Sequence, residues 1–209
     1  MAGSPSERAI RDSVAAWARR SLPEARIVHE LVVGECRADL AAIEPERLIL
    51  FEVKSEKDTL DRLPRQVETF SRLAHAAVVV AHEKWFDRIP YNNGTPRLVF
   101  PHDARRAHVW CWPEVDTAAY PMAFVYRWQA PRTSLRQPRA YDFLQLMWRD
   151  EMATEAARHR ISAGPRASMV AMAEQMAYLM TGREIAQAVC RQLRQRPFPE
   201  ADPPKGETP

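Results

Sequence analysis

Three charged residues could act chemically as a set: Asp39, Glu52 and Lys54. Two carboxylates suit a hard divalent cation, whose remaining positions are filled by water and substrate phosphate. An ammonium beside them can orient a water or balance charge that builds on a phosphoryl group. The chemistry this points to is metal-assisted attack on a phosphate ester. Such a set works only if the chain folds it together, and the local pattern supplies the means. Ala38–Ile43 reads as a strand, and Glu44–Arg47 as a turn around Pro45, which has no N–H for a ladder. Leu48–Lys54 reads as the next strand. Side chains alternate along a strand, so Glu52 and Lys54 share one face while Phe51 and Val53 share the other. Antiparallel pairing then brings Asp39 beside Glu52. Leu48–Val53 is almost continuously apolar, the pattern of a strand covered on both faces. Ionisable residues at its end are costly unless paired or metal-bound. The competing reading is a plain Glu52–Lys54 salt bridge where the strand emerges into water.

The flanking elements add further residues. Ile27–Val33 reads as a strand with Glu30 in its middle, either an auxiliary acid of the site or an exposed acid on an edge strand; Glu35 is a further acid nearby. A helix over Asp61–His75 carries Leu63, Val67, Phe70 and Leu73 on one stripe. Gln66 falls at the border of that stripe, Arg62 just beyond it and Glu68 opposite. Gln66 can therefore reach a phosphate or a metal-bound water, or else be a half-buried amide bonded to backbone. Pro64 fits the first turn of this helix. Ser55–Asp58 is the preceding loop, where Lys57 either touches phosphate or is solvated. Ala76–Ala81 is a buried strand, so strand, helix and strand form a crossover. His75 and His82 lack metal-ligand spacing, and Cys36, Cys111 and Cys190 are scattered, which supports neither a disulfide framework nor a zinc site.

Asp39 followed by Glu52-Val53-Lys54 resembles the motif of the PD-(D/E)XK nuclease superfamily. Gln66-x-x-x-Phe70 is similar to the Gln-x-x-x-Tyr signature of some exonuclease-like members, with Phe in place of Tyr and its hydroxyl lost. The run from Phe51 to Glu68 resembles an uncharacterised bacterial family with this core and a helical tail. The resemblance spans Ile27 to Trp85, with a fainter match near Leu146–Glu151. It implies an α/β fold: a restriction-endonuclease-like αβββαβ core with a mixed sheet, followed by a C-terminal helical subdomain. The activity implied is metal-dependent hydrolysis of DNA phosphodiester bonds. Mg²⁺, with Mn²⁺ able to substitute, would be held by Asp39, Glu52 and the backbone carbonyl of Val53. Lys54 would position the attacking water, Gln66 would assist, and Glu30 would be auxiliary. A homodimer is an assembly many such nucleases use. The alternative is a nucleic-acid-binding module on a nuclease fold that no longer cuts, against which the intact trio argues. A third class is an interaction protein whose carboxylates form an ordinary salt-bridge cluster.

The rest of the chain frames these expectations. Its 209 residues, 46% of them hydrophobic, suit one medium domain with a real core. We divide it into a core over 1–130, a helical subdomain over 131–196 and a disordered tail over 197–209. Glu7–Arg20 is an amphipathic helix, capped by Ser6. Tyr91–Pro96 is a turn, and Arg97–Phe100, Ala107–Trp112 and Met122–Trp128 are short strands or extended segments. Trp110, Trp112, Tyr126 and Trp128 either cover the end of the sheet or stack bases. Pro131–Pro138 is a linker, near which Arg132, Arg136 and Arg139 could track phosphate. Helices are expected over Ala140–His159, Ala167–Met180 and Gly182–Arg194, the last capped by Thr181. The net charge of +3 excludes a wholly polybasic binder; twelve arginines against six acids between Arg127 and Arg196 fit either a nucleic-acid partner or a genome biased toward arginine, since the lysines are only Lys54, Lys57, Lys84 and Lys205. No run of about 18 apolar residues occurs and no secretory leader is evident, so the expectation is a cytoplasmic protein that does not enter a membrane.

Overall fold

The computed structural model describes residues 4–90, 96–101, 104–116, 118–131, 138–162, 164 and 167–206. The chain begins with α1 (Pro5–Ser21), followed by β1 (Arg26–Val33), β2 (Cys36–Ile43), β3 (Leu48–Lys54), α2 (Leu63–Leu73) and β4 (Ala76–His82). A small hairpin, β5 (Asp87–Pro90) and β6 (Pro96–Val99), precedes β7 (His108–Trp112). Four helices complete it: α3 (Ala140–Leu144), α4 (Arg149–Arg158), α5 (Met169–Leu179) and α6 (Gly182–Gln195). The main sheet has five strands in the order β1-β2-β3-β4-β7. The first three are antiparallel neighbours, and β3, β4 and β7 run parallel. The fold is therefore mixed α/β, with a five-stranded mixed sheet and C-terminal helices.

Each face of the sheet is covered, as the apolar run in β3 requires; all seven of its residues are buried. On one face Ile10, Val14, Trp17 and Ala18 of α1 pack on Ile27, Leu40, Phe51, Val53 and Val80. Trp110 lies in this layer, edge-on to Trp17 and stacked on Trp128 at 5.4 Å. On the other face Val28, Leu48 and Leu50 share one cluster with Phe70 of α2 and with Phe143, Met152, Met176 and Val189 of the C-terminal helices. The residues after 130 thus continue the core of the sheet. Glu155 of α4 is fully buried and accepts from Arg191 and Gln192 of α6, closing this layer.

Several local expectations need correction. Ser4 caps α1, with Glu7 returning the bond to the Ser4 N–H, while the Ser6 hydroxyl donates to the Glu56 carboxylate. Pro5 at the first helical position suits this earlier start. Met122–Trp128 is not a strand: a 3-10 turn occupies Pro121–Tyr126, anchored where Ala123 N–H donates to the Tyr120 carbonyl. The helix expected over Ala140–His159 is two helices. The chain turns at Gln145–Trp148, and the Trp148 N–H donates to the Glu151 carboxylate at 2.7 Å, starting α4 anew.

The tail also differs from expectation over residues 197–206, which the structure places. Ala201 bridges Val28, His29 N–H donates to the Glu200 carbonyl, and Asp202 N–H donates to the Ile27 carbonyl. Arg26, 2% exposed, locks this segment. Its Nη1 donates to the carbonyls of Leu193, Arg194 and Arg196 at the end of α6, and its Nε to that of Asp202. A cation on the last carbonyls of a helix also meets the negative end of its dipole. Among the described residues, no helix is long and apolar enough to cross a membrane.

Candidate functional site

The β2–β3 ladder ends at Leu40↔Phe51, and one further step of the same register sets Asp39 opposite Glu52. The ladder stops there because Asp39 replaces the backbone as acceptor: the Val53 N–H donates to Asp39 Oδ2 at 2.6 Å. Across the β1–β2 register, His29↔Leu40 and Leu31↔Ala38 set Glu30 opposite Asp39. The alternation of faces slips at this point. Val28 and Leu31 lie in the same core layer, as do Ala38 and Ala41, which regular strands do not permit. Glu30 absorbs the slip with φ of +57°, a left-handed conformation that costs a non-glycine residue about 1–3 kcal/mol. Glu30, Asp39 and Glu52 therefore take neighbouring ladder positions at a distortion of the sheet, beside the carboxyl ends of the parallel strands β3, β4 and β7. Ligands of open α/β sheets collect at that end.

Glu52 and Lys54, both buried, lie on the α2 side. Lys54 Nζ donates to Glu52 Oε1 at 2.7 Å and to Gln66 Oε1 at 3.0 Å, and Gln66 Nε2 donates to Glu52 Oε1 at 2.6 Å. Gln66 reaches this triangle because α2 buries Leu63, Val67, Phe70 and Leu73, which turns the neighbouring edge of the helix toward the end of β3. All the bonds fall on one oxygen of Glu52. Its Oε2 is buried and has no partner.

The electrostatics follow from this crowding. Asp39 holds its proton up to about pH 8, first because burial penalises its charge and second because Glu52 repels it. The Val53 N–H and Lys54 oppose that rise, and Glu30 adds to it. Burial also raises Glu52, against the opposing pull of Lys54, Gln66 and Arg62. Asp39 keeps a partly exposed edge, so the pair opens to solvent from its side. Two facing carboxylates, one with an orphaned buried oxygen, form an arrangement that a cation would relieve. Among the described residues no group of three or more His, Cys, Asp or Glu side chains gathers as a metal cage. A metal here would rest on two carboxylates, with backbone and water completing its shell, which hard-cation chemistry allows.

The loop after β3 is built around Asp58, whose Oδ2 accepts from both the N–H and the hydroxyl of Ser55 at 2.7 Å. Trp85 Nε1 donates to the Ser55 carbonyl and pins the loop to the end of β4. Lys57 and Arg62 are exposed on this loop and form no salt bridge among the described residues. Residues 4–92 are similar to the family described as Bacteriophage P4 protein cII. That match to the phage P4 family covers less than half of the chain. It runs from the cap of α1 past β5 and contains Glu30, Asp39, Glu52, Val53, Lys54, Lys57, Arg62 and Gln66. No curated protein and no solved structure matches the chain.

The sequence-based set thus divides. Asp39, Glu52, Val53, Lys54 and Gln66 come together within the span similar to the phage P4 family. Glu30 adjoins Asp39, but its two oxygens hold Arg11 Nη1 at 2.8 Å and Arg37 Nε at 2.6 Å. Glu35 is exposed at the hairpin tip and pairs with Arg65. Arg139 is exposed at the start of α3, and Arg132 and Arg136 lie outside the described residues. His75 accepts the Leu48 N–H on Nδ1 and packs edge-on against Phe143. His82 accepts the Lys84 N–H and lies against Trp112. Sequence reasoning missed Arg11 and Arg37. Helical spacing puts Arg11 beside Val14 at the edge of the buried stripe of α1, and Arg37 precedes Asp39 by two on its strand, which places each on its own element but not against Glu30.

Proposed function

We propose that this protein is a metal-dependent nuclease of the PD-(D/E)XK type that hydrolyses DNA phosphodiester bonds at the Asp39–Glu52–Lys54 site. One observation carries the reading: two carboxylates face each other across β2 and β3, one has a buried oxygen without a partner, and a buried ammonium lies on the other oxygen. A salt bridge alone accounts for Lys54 and Glu52. It does not account for Asp39, whose charge the fold makes costly and which forms no salt bridge among the described residues. The element order α1-β1-β2-β3-α2-β4 also agrees with a restriction-endonuclease-like core.

Asp39 and Glu52 would hold Mg²⁺ or Mn²⁺, with the Val53 carbonyl as a further ligand. The ion, when bound, polarises the phosphodiester and lowers the pKa of a water molecule. Lys54, fixed by Glu52 and Gln66, retains donor capacity for the attacking water or a non-bridging phosphate oxygen, since an ammonium has three N–H groups. Gln66 keeps the ammonium in place. Lys57 and Arg62, exposed between β3 and α2, would offer charge to the nucleic-acid backbone.

The test is incubation of supercoiled plasmid and single-stranded oligonucleotide with the protein and Mg²⁺ or Mn²⁺, beside Asp39→Ala and Lys54→Ala. Cleavage by the native protein and at least a hundredfold loss in each variant is expected. Cleavage that survives both substitutions would remove these residues from the reaction. Salt-dependent binding without any cleavage would point to a binding module that does not cut.

A further inference from the structure

We propose that Arg11 and Arg37, bridged by Glu30, form a clamp for a nucleic-acid phosphate next to the one held over Asp39 and Glu52. This rests on the nuclease reading of the site and adds a second point of contact with the strand. The two guanidiniums come from different elements, α1 and β2, and converge on the single carboxylate of Glu30. Two cations sharing one anion leave a positive charge uncompensated. Arg11 retains only 13% of its side-chain exposure and Arg37 65%, so one guanidinium is fixed in the wall and the other reaches solvent.

Position gives this excess charge its meaning. Glu30 lies opposite Asp39 and its charge is felt there. The clamp is therefore a neighbour of the carboxylate pair, while the charge of Arg62 is felt at Glu52. Acids lie in the middle and cations to either side. A polyanionic strand crossing that row would set one phosphate over the acids and its neighbours over the cations. A guanidinium is also the side chain best shaped to grip phosphate with paired N–H groups. The residue that meets both arginines is also the one whose backbone is left-handed at the slip of the sheet. Such local strain persists where surrounding contacts over-determine it, and it clusters at binding and catalytic sites. This assigns Glu30 to positioning the clamp; the auxiliary metal-site role is the competing assignment.

The experiment measures binding of a fluorescent 20-mer DNA duplex by anisotropy across a salt series in EDTA, which prevents cleavage. It compares the native protein, Arg11→Ala/Arg37→Ala, Arg37→Glu and Glu30→Gln. Loss of one phosphate contact lowers the slope of log K against log salt by about 0.9 and weakens binding by about tenfold near 0.1 M salt. We expect that loss in the double variant, a larger loss in Arg37→Glu, and tighter binding in Glu30→Gln. Arg37 is exposed, so Arg37→Glu keeps the test valid even if removing Arg11 impairs folding. Mg²⁺ titration by calorimetry on the same proteins separates the two proposals. Unchanged metal binding with a reduced slope supports the clamp. An unchanged slope in both arginine variants overturns it, whatever the metal data show. Loss of Mg²⁺ binding in Glu30→Gln overturns the positioning role. A native protein that binds neither metal nor DNA removes the nuclease reading itself.

Discussion

Asp39→Asn should make the metal-free protein more stable while removing its response to magnesium. Asp39 keeps its proton up to about pH 8 in the folded protein, against 3.8 for an ordinary aspartate. Between those values the folded state binds more protons than the unfolded chain, so this residue lowers stability as pH rises. The penalty is absent below about pH 4, grows through the neutral range and levels off above pH 8. At about 1.4 kcal/mol per pH unit its ceiling is about 6 kcal/mol. One substitution recovers less, because Glu52 relaxes with its neighbour and the edge of Asp39 is partly hydrated; about 1–3 kcal/mol is the expected gain at pH 8. Asparagine can still accept the Val53 N–H through its side-chain oxygen, so the hairpin keeps its cross-link. Urea unfolding at pH 5 and pH 8, with and without 10 mM Mg²⁺, provides the assay. The native protein should lose stability between pH 5 and pH 8 without metal and regain it with Mg²⁺. The variant should change little with either. An Asp39→Asn protein that is less stable than the native one at pH 8, alongside a native protein indifferent to Mg²⁺, would refute the argument from carboxylate repulsion.

Other consequences can be tested in the same way. Lys54→Met strips the buried Glu52 of its cation and should cost about 3–5 kcal/mol at pH 8. The loss should shrink as the pH falls, because burial already holds Glu52 above the usual carboxylate range and a proton removes its uncompensated charge; urea titrations at pH 8 and pH 5 check this. Arg26→Met removes the guanidinium that caps the last carbonyls of α6 and holds Asp202. Stability should fall by about 2–4 kcal/mol, with faster amide exchange at residues 200–202 read by mass spectrometry. Gly34→Ala places a Cβ at φ of +59° and 3.0 Å from Leu73 Cδ1, and should lower stability by about 1–2 kcal/mol, measured as a shift in the urea midpoint.

The part of the site made by neighbours in sequence was legible. The hairpin is short, its turn carries Pro45, and an apolar strand ends in Glu52 and Lys54, so alternation alone placed both charges on one face. Gln66 could be placed from the stripe of α2. Partners distant in the chain left a weaker trace. Arg11 lies nineteen residues before Glu30 and on another element, and nothing in either stretch shows that they meet. The slip in alternation at Glu30 was also hidden, because Ile27–Val33 has the composition of an ordinary strand and no glycine marks the left-handed residue. Elsewhere Phe143, Leu144, Met147 and Met152 keep the spacing of one helix and are all buried, although Met147 faces inward from a turn, so the break before α4 left no trace in the pattern. The proline-rich composition of the tail signalled disorder, yet prolines also suit an extended segment whose order comes from outside it, here from Arg26.

The pairing of Ala201 with Val28 bears on how the protein is made. Some 176 residues separate Arg26 from the Asp202 carbonyl it binds. A ribosome must extend the nascent chain past that point before the outer flank of β1 can be closed. Until then the flank offers unpaired amide and carbonyl groups to any extended peptide nearby. Synthesis that stalls before residue 200 would release a polypeptide that already has every acid and cation of the site, but not the segment that guards against adhesion to its neighbours.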